Sequence, residues 1–138
     1  MKGIRFEIIN ERNNYIYKIF KGIKFDDFDW YIYNDDVYYE KGDLYFDSSK
    51  YKEKNFEKKI KNEIYYIVHI NIQAYLKNKD IEKDRIVNCD EFLESNCEIM
   101  LSIIDCKFVE VYTRNGELLN IINKNAIENE FVDIKYIL

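Results

Sequence analysis

Proline is absent from this chain of 138 residues, and glycine occurs only four times, at Gly3, Gly22, Gly42 and Gly116. That poverty excludes a Gly/Ser/Pro linker and a collagen-like repeat. Four isolated glycines also exclude a phosphate-cradling loop, which needs several of them so that backbone N–H groups can reach an anion. A Gly-x-Ser-x-Gly elbow is missing as well. Histidine occurs once, as His69, tryptophan once, as Trp30, and cysteine three times, as Cys89, Cys97 and Cys106. The cysteines stand eight and nine residues apart, with no Cys-x-x-Cys knuckle of the kind that structural zinc uses. They read as small buried hydrophobes, and no metal or cofactor is expected. An odd cysteine count, in a sequence whose Met1-Lys2-Gly3 opening runs straight into strand-like residues, predicts reduced thiols in a cytoplasmic protein. No stretch approaches the roughly 18 uncharged apolar residues of a membrane span.

What the chain does contain is enough for one core. It is 47% hydrophobic, with a mass of 16.9 kDa. Surface scaling gives a folded exposure of about 7,700 Å² against about 24,500 Å² for the extended chain. A single domain over residues 1–138 is therefore expected. Acids outnumber bases, 26 to 21, which argues against direct nucleic-acid binding, since that needs a basic face. Ile, Lys, Asn, Tyr and Phe together supply 76 residues. Their codons are AT-rich, so genome composition accounts for much of the tyrosine, lysine and asparagine excess.

Periodicity predicts the elements. Ile4, Phe6 and Ile8 alternate with Arg5 and Glu7 as in a half-buried strand. Asn10 and Glu11 suit a helix start, and Tyr15, Ile16, Ile19, Phe20 and Ile23 form its apolar stripe, with Gly22 as a stop. Trp30-Tyr31-Ile32-Tyr33 and Val37-Tyr38-Tyr39 read as two arms of a hairpin turning at Asn34-Asp35-Asp36. Lys41-Gly42-Asp43 is a second turn before Leu44-Tyr45-Phe46. Asn55 suits the cap of a short helix carrying Phe56 and Ile60. From 64 to 76 the alternation is strict: Ile64, Tyr66, Val68, Ile70, Ile72, Ala74 and Leu76 fall on an expected dry face, and His69, Asn71, Gln73 and Tyr75 on a polar one. A polar loop runs from Lys77 to about Arg85. Asn88 and Glu91 have capping-box spacing. Ile99–Ile104 and Phe108–Tyr112 read as strands about a turn at Asp105. Asn115-Gly116 opens a helix with Leu118, Ile121, Ile122 and Ala126 on its apolar side, and Phe131–Ile137 closes as a strand. Strands joined as often by turns as by helices predict an α+β fold, a mainly antiparallel sheet with helices packed on it.

Several of these segments carry a likeness. Lys2-Gly3-Ile4-Arg5-Phe6-Glu7-Ile8, Lys21-Gly22-Ile23 with Trp30-Tyr31-Ile32, Tyr65-Tyr66-Ile67, Glu91–Glu98 and Phe108-Val109-Glu110-Val111-Tyr112 together resemble a family of small uncharacterised proteins of low-GC Gram-positive bacteria, known only as a domain of unknown function. The likeness spans nearly the whole chain. It implies no activity, and no catalytic residue transfers with it.

Charge gives the one regional signal. Between Phe25 and Asp47 stand eight acids and one base, together with nine aromatics; from Lys50 to Lys61 six lysines face two glutamates. Aromatics supply contact area at low entropic cost and carboxylates steer encounter. The expected function is a non-enzymatic interaction domain, with Asp26, Asp27, Asp29, Trp30, Tyr31, Tyr33, Asp35 and Asp36 meeting a basic protein partner, for example a toxin to be neutralised. The bland counterpart is that these aspartates solubilise an edge hairpin while Trp30 and Ile32 pack inward. The alternative of another class is a small hydrolase or transferase using His69 with a cysteine or carboxylate; a third is a structural subunit of a homo-oligomer.

Overall fold

The computed structural model describes residues 1–40, 42–46, 50–53, 55–79 and 86–138; the side chains of 34, 35 and 50–53 lie outside that description, as do Lys41, Asp47 and residues 80–85 of the expected polar loop. Seven strands form one sheet: β1 Gly3–Glu7, β2 Phe28–Tyr38, β3 Lys50–Glu53, β4 Tyr66–Leu76, β5 Ile99–Ile104, β6 Phe108–Thr113 and β7 Val132–Ile137. Their spatial order is β3-β2-β4-β5-β6-β1-β7, and every neighbouring pair is antiparallel. Helices α1 Tyr15–Phe20, α2 Phe56–Lys61, α3 Cys89–Glu94 and α4 Gly116–Glu128 complete an α+β fold. Its accessible surface is 7700 Å², the value that chain length dictates.

The sheet divides the apolar residues into two clusters. Ile4, Phe6, Ile32, Ile70, Ile72, Leu101, Ile103, Val109 and Val111 point to the face that carries α1, α2 and α4. Tyr75, Met100 and Tyr112 point the other way and are covered by Ile86, Phe92 and Cys97 from the segment around α3. Local chemistry explains the boundaries. Asn115 Oδ1 accepts from the N–H groups of Glu117 and Leu118, and Asn88 Oδ1 from Glu91 N at 2.9 Å, satisfying donors that a helix start leaves open. Gly22 ends α1 at φ +95°, where a side chain would strain the backbone. In the hairpin β5–β6 the connection is the three residues Asp105, Cys106 and Lys107, of which Asp105 and Cys106 both take positive φ, 53° and 69°, a left-handed pair whose twist suits antiparallel strands.

Four expectations are corrected. Val37 does not return antiparallel to Trp30: β2 continues through Asn34-Asp35-Asp36 as one strand along β4, with register breaks between Tyr33 and Asp36 and between Asp36 and Val37. Turn-forming residues are here absorbed as a bulge. That irregularity also shifts the phase of β4. Tyr65 and Ile67 are buried on the helix-bearing side, whereas from three residues later it is Ile70, Ile72 and Ala74 that are; the expected single dry face from 64 to 76 does not exist. The turn before Leu44 is present, with Tyr39 N donating to Asp43 O at 2.7 Å. α2 forms where expected, but Asn55 precedes it in the left-handed region without a side-chain cap. α1 begins at Tyr15 rather than after Asn10.

Candidate functional site

β2 decides where the expected interaction residues lie. It is an interior strand between β3 and β4, so alternate side chains enter opposite clusters. Trp30 is 3% exposed; its indole N–H donates to Phe25 O at 3.0 Å, and its ring stacks on Phe56 at 4.5 Å with Phe20, Phe25 and Phe28 around it. Tyr33, also 3% exposed, stands opposite Asn71 on the other face. Tyr31 is half-buried, edge-on to Tyr75 at 5.8 Å. Trp30 and Tyr33 are therefore core residues, because β2 is not the edge of the sheet. The acids separate too. Asp26 and Asp27 are exposed on a 3₁₀ turn, Phe25–Asp27, that leads into β2, and Asp29 is half-buried at its start. Asp36 lies about 23 Å further along the strand, beside His69. The side chain of Asp35 falls outside the described residues.

At the 3₁₀ turn the acids do meet a concavity. A cleft of about 410 Å³ opens between the start of β2 and α2, rimmed by Asp26, Asp29 and Glu57, with Lys58 and Lys77 also on its lining. Phe25, Phe28, Trp30 and Phe56 form its floor. Three of these rings are 3–5% exposed and are locked by stacking, so the floor is set before anything binds.

His69 stands at the far end of β2 and β4. Its Nδ1 is 3.6 Å from Asp36 Oδ2, both side chains partly in water. The Tyr38 hydroxyl donates to the other carboxylate oxygen of Asp36. His69 also lines a shallow cavity of about 220 Å³ with Asn71, Ser102, Asp105 and the Ile86–Val87 segment. Two of the three thiols are engaged elsewhere. Cys106 Sγ is 3.3 Å from the Tyr66 hydroxyl, which itself donates to Asn10 Oδ1 at 2.6 Å. That contact with Cys106 is the main cause that raises the tyrosine's pKa. Cys97 is fully buried with its Sγ 3.1 Å from Ile99 O, and burial pushes its thiol up to about 12, which leaves almost no thiolate at neutral pH. Among the described residues no three His, Cys, Asp or Glu side chains gather as a metal site would need.

Sequence periodicity missed a buried polar ladder. The face of β4 that reads as polar is closed by the α3 segment, and its groups satisfy one another: Tyr75 OH donates to Gln73 Oε1 at 3.0 Å, Gln73 Nε2 to Asn71 Oδ1 at 2.9 Å and Asn71 Nδ2 to Ile86 O at 3.3 Å. Burial raises the Tyr75 pKa, so the ladder holds its protons. Two amides and a tyrosine at alternate positions of one strand are the signal that pointed to it. Arg114 had no such signal. Its guanidinium donates to the carbonyls of Phe92, Leu93, Ser95 and Cys97 at 2.7–3.1 Å and stacks 4.7 Å from the Phe92 ring, closing the open end of α3.

The arrangement defines a class: an α+β protein with a seven-stranded antiparallel sheet, helices on one face, a short helical cover on part of the other, and an acid-rimmed aromatic cleft at one corner. Across its whole length, residues 1–138, the chain matches the family described as a protein of unknown function, DUF2691, and it belongs to that family. It is 24% identical over 141 residues, covering 99% of this chain and 91% of the relative, to the uncharacterized protein YncE of Bacillus subtilis strain 168. No solved structure matches it. The expected likeness to a family of unknown function from low-GC Gram-positive bacteria is thus correct.

Proposed function

We propose that this chain is a non-enzymatic interaction domain of the cytoplasm. Its acidic corner, Asp26, Asp27 and Asp29, takes up a basic protein partner, in the manner of a small acidic protein that neutralises a toxin. One observation carries the reading: carboxylates from two elements rim a cleft whose aromatic floor is already fixed. A rigid floor loses little side-chain entropy when it is covered, and an acidic rim raises the encounter rate of a basic surface. Tyr33 and Trp30 contribute as scaffold rather than as contact. Among the described residues no helix is long and apolar enough to cross a membrane.

The test is capture from lysate of the source cells with the wild type and with the variant Asp26→Asn, Asp27→Asn, Asp29→Asn, at low and high salt. The reading expects a basic protein that is held by the wild type, lost with the triple variant and weakened by salt. The same proteins retained by both forms would sink it. A second reading has the Asp36–His69 contact in its favour, as an acid–imidazole pair beside a cavity. His69→Ala in the same experiment separates the two, since the interaction reading expects capture to be unchanged.

A further inference from the structure

The helix-bearing face of the sheet is closed, but its other face is covered only in part. The α3 segment lies over Tyr75, Met100 and Tyr112. Beyond it two rows of side chains cross the sheet, and among the described residues no helix lies on them. Strand register fixes their membership. One row runs Ser102, Glu110, Arg5, Lys135; the next runs Ile104, Phe108, Glu7, Val132. Two adjoining hollows of about 390 and 220 Å³ open on this face and share Ser102 and Ile104. A sheet face left to water carries polar residues. Here Ile104 and its neighbour Phe108 are 50% and 45% exposed, and Val132, beyond Glu7, is 56% exposed; adjoining exposed apolar side chains rimmed by polar ones mark an interaction surface.

We propose that a second copy of the chain occupies this face, the two sheets packing against each other about a two-fold axis. Charge is the argument. The whole chain carries −5, so most of its surface repels a copy of itself. This face is different, because Arg5, Lys107 and Lys135 are matched by Glu7, Glu110 and Asp133. The signs are also placed to complement themselves. An axis parallel to the strands and between β6 and β1 sets Glu110 over the other copy's Arg5 and Ile104 over the other copy's Val132, each contact occurring twice, as an isologous interface requires. Lys107 Nζ lies 5.0 Å from the Phe108 ring and 3.5 Å from Glu7 Oε1, so the carboxylate beside the apolar centre is already compensated. Pairing through the β7 edge is the poorer geometry. The register of β7 breaks opposite Arg5–Glu7, and Asp133 takes φ +54°, a bulge of the kind that blunts an edge. The two rows span about 20 Å by about 14 Å. That is less than the roughly 800 Å² a standard interface buries on each partner, so the dimer is weak and depends on concentration.

The experiment is sedimentation equilibrium from micromolar to millimolar protein. For the wild type the mass should rise from 16.9 kDa toward twice that value. Arg5→Glu opposes two carboxylates across the axis and Glu110→Arg opposes two cations, so each variant alone should stay monomeric. Mixed in equal amounts they should regain the doubled mass, because both contacts are then complementary. Arg5 and Glu110 are also register partners within one chain. Any cost of that internal mismatch persists on mixing, so recovery reports contact between copies. A third variant, Phe108→Asp, changes an exposed ring and should be monomeric at millimolar concentration. A wild type that remains monomeric throughout overturns the proposal. So does a mixture that stays monomeric while the wild type dimerises, or a Phe108→Asp protein that still dimerises.

Discussion

Trp30→Ala separates a core tryptophan from an interface anchor. An anchor on the surface would cost binding when truncated but leave stability within about 0.5 kcal/mol. Trp30 instead lies at the centre of Phe20, Phe25, Phe28 and Phe56, 3% exposed, with its N–H bound to Phe25 O. Truncating a buried aromatic of this kind removes its transfer energy and leaves a cavity, together about 3–5 kcal/mol. The lost indole bond acts in the same direction, since it leaves the Phe25 carbonyl without that donor. The unfolding entropy of a chain this long is about 0.3 kcal/mol per degree, so a loss of about 4 kcal/mol lowers Tm by about 14 °C. Far-UV circular dichroism is the right probe, because the substitution removes the only tryptophan. A Tm within about 3 °C of the wild type would refute the placement of Trp30 in the core, and with it the fixed floor on which the cleft argument depends.

Gly3→Ala should be severely destabilising, because a Cβ there would sit 2.2 Å from Val111 O in the backbone of β6; guanidinium unfolding should show a sharply lower midpoint, and an unchanged midpoint would contradict the β1–β6 register. Stability should fall in alkali from about pH 9. Cys97 ionises near 9.0 when unfolded but is pushed by burial to about 12 in the fold, so its contribution is complete below pH 9 and is lost as pH rises toward 12. Tyr15 and Tyr112, both raised to about 12 chiefly by burial, add to the loss above pH 10 in the same sense. Urea midpoints measured at intervals from pH 8 to the alkaline limit check this, and Cys97→Ala should flatten the profile between pH 9 and 10.

Legibility in the sequence followed the range of the interactions. β1, β5, β6, α4 and β7 stand where periodicity put them, because each is fixed by its own alternation or stripe and by a local cap such as Asn115. The capping box at Asn88–Glu91 is an interaction between neighbours and was equally readable. The misreadings arise where a distant strand overrules local preference. Asn34-Asp35-Asp36 has the composition of a turn, yet β4 offers pairing partners on both sides of it, and an unbroken ladder satisfies more backbone groups than a hairpin would. The bulge that results moves Asp36 opposite His69, a meeting that no spacing in the sequence encodes. In the same way the amides of β4 look like a wet face only until Ile86, Phe92 and Cys97, from a segment that follows β4 in the chain, close over them.

The charge pattern shows the same dependence on topology, and it narrows the functional reading. In sequence the acidic stretch from Phe25 to Asp47 and the lysine-rich stretch from Lys50 to Lys61 are two adjacent blocks of opposite sign. In the fold they are neighbours in space as well: β3 pairs with β2 so that Lys52 takes the register position beside Tyr31 and Lys50 that beside Tyr33, and Lys58 lines the same cleft as Asp26 and Asp29. At the cleft the acids are thus answered in part from within the chain, by Lys58 and Lys77 on the same lining. The long-range field that a basic partner would feel is correspondingly smaller than the block of acids suggests. What survives is local. Asp26 and Asp27 project from the 3₁₀ turn into water, and Asp29 and Glu57 stand over an aromatic floor. Recognition at this corner therefore depends on fit into the cleft more than on attraction from afar. Its rate should be less sensitive to salt than the raw count of aspartates implies, while its strength should remain sensitive to the three aspartates nearest the opening.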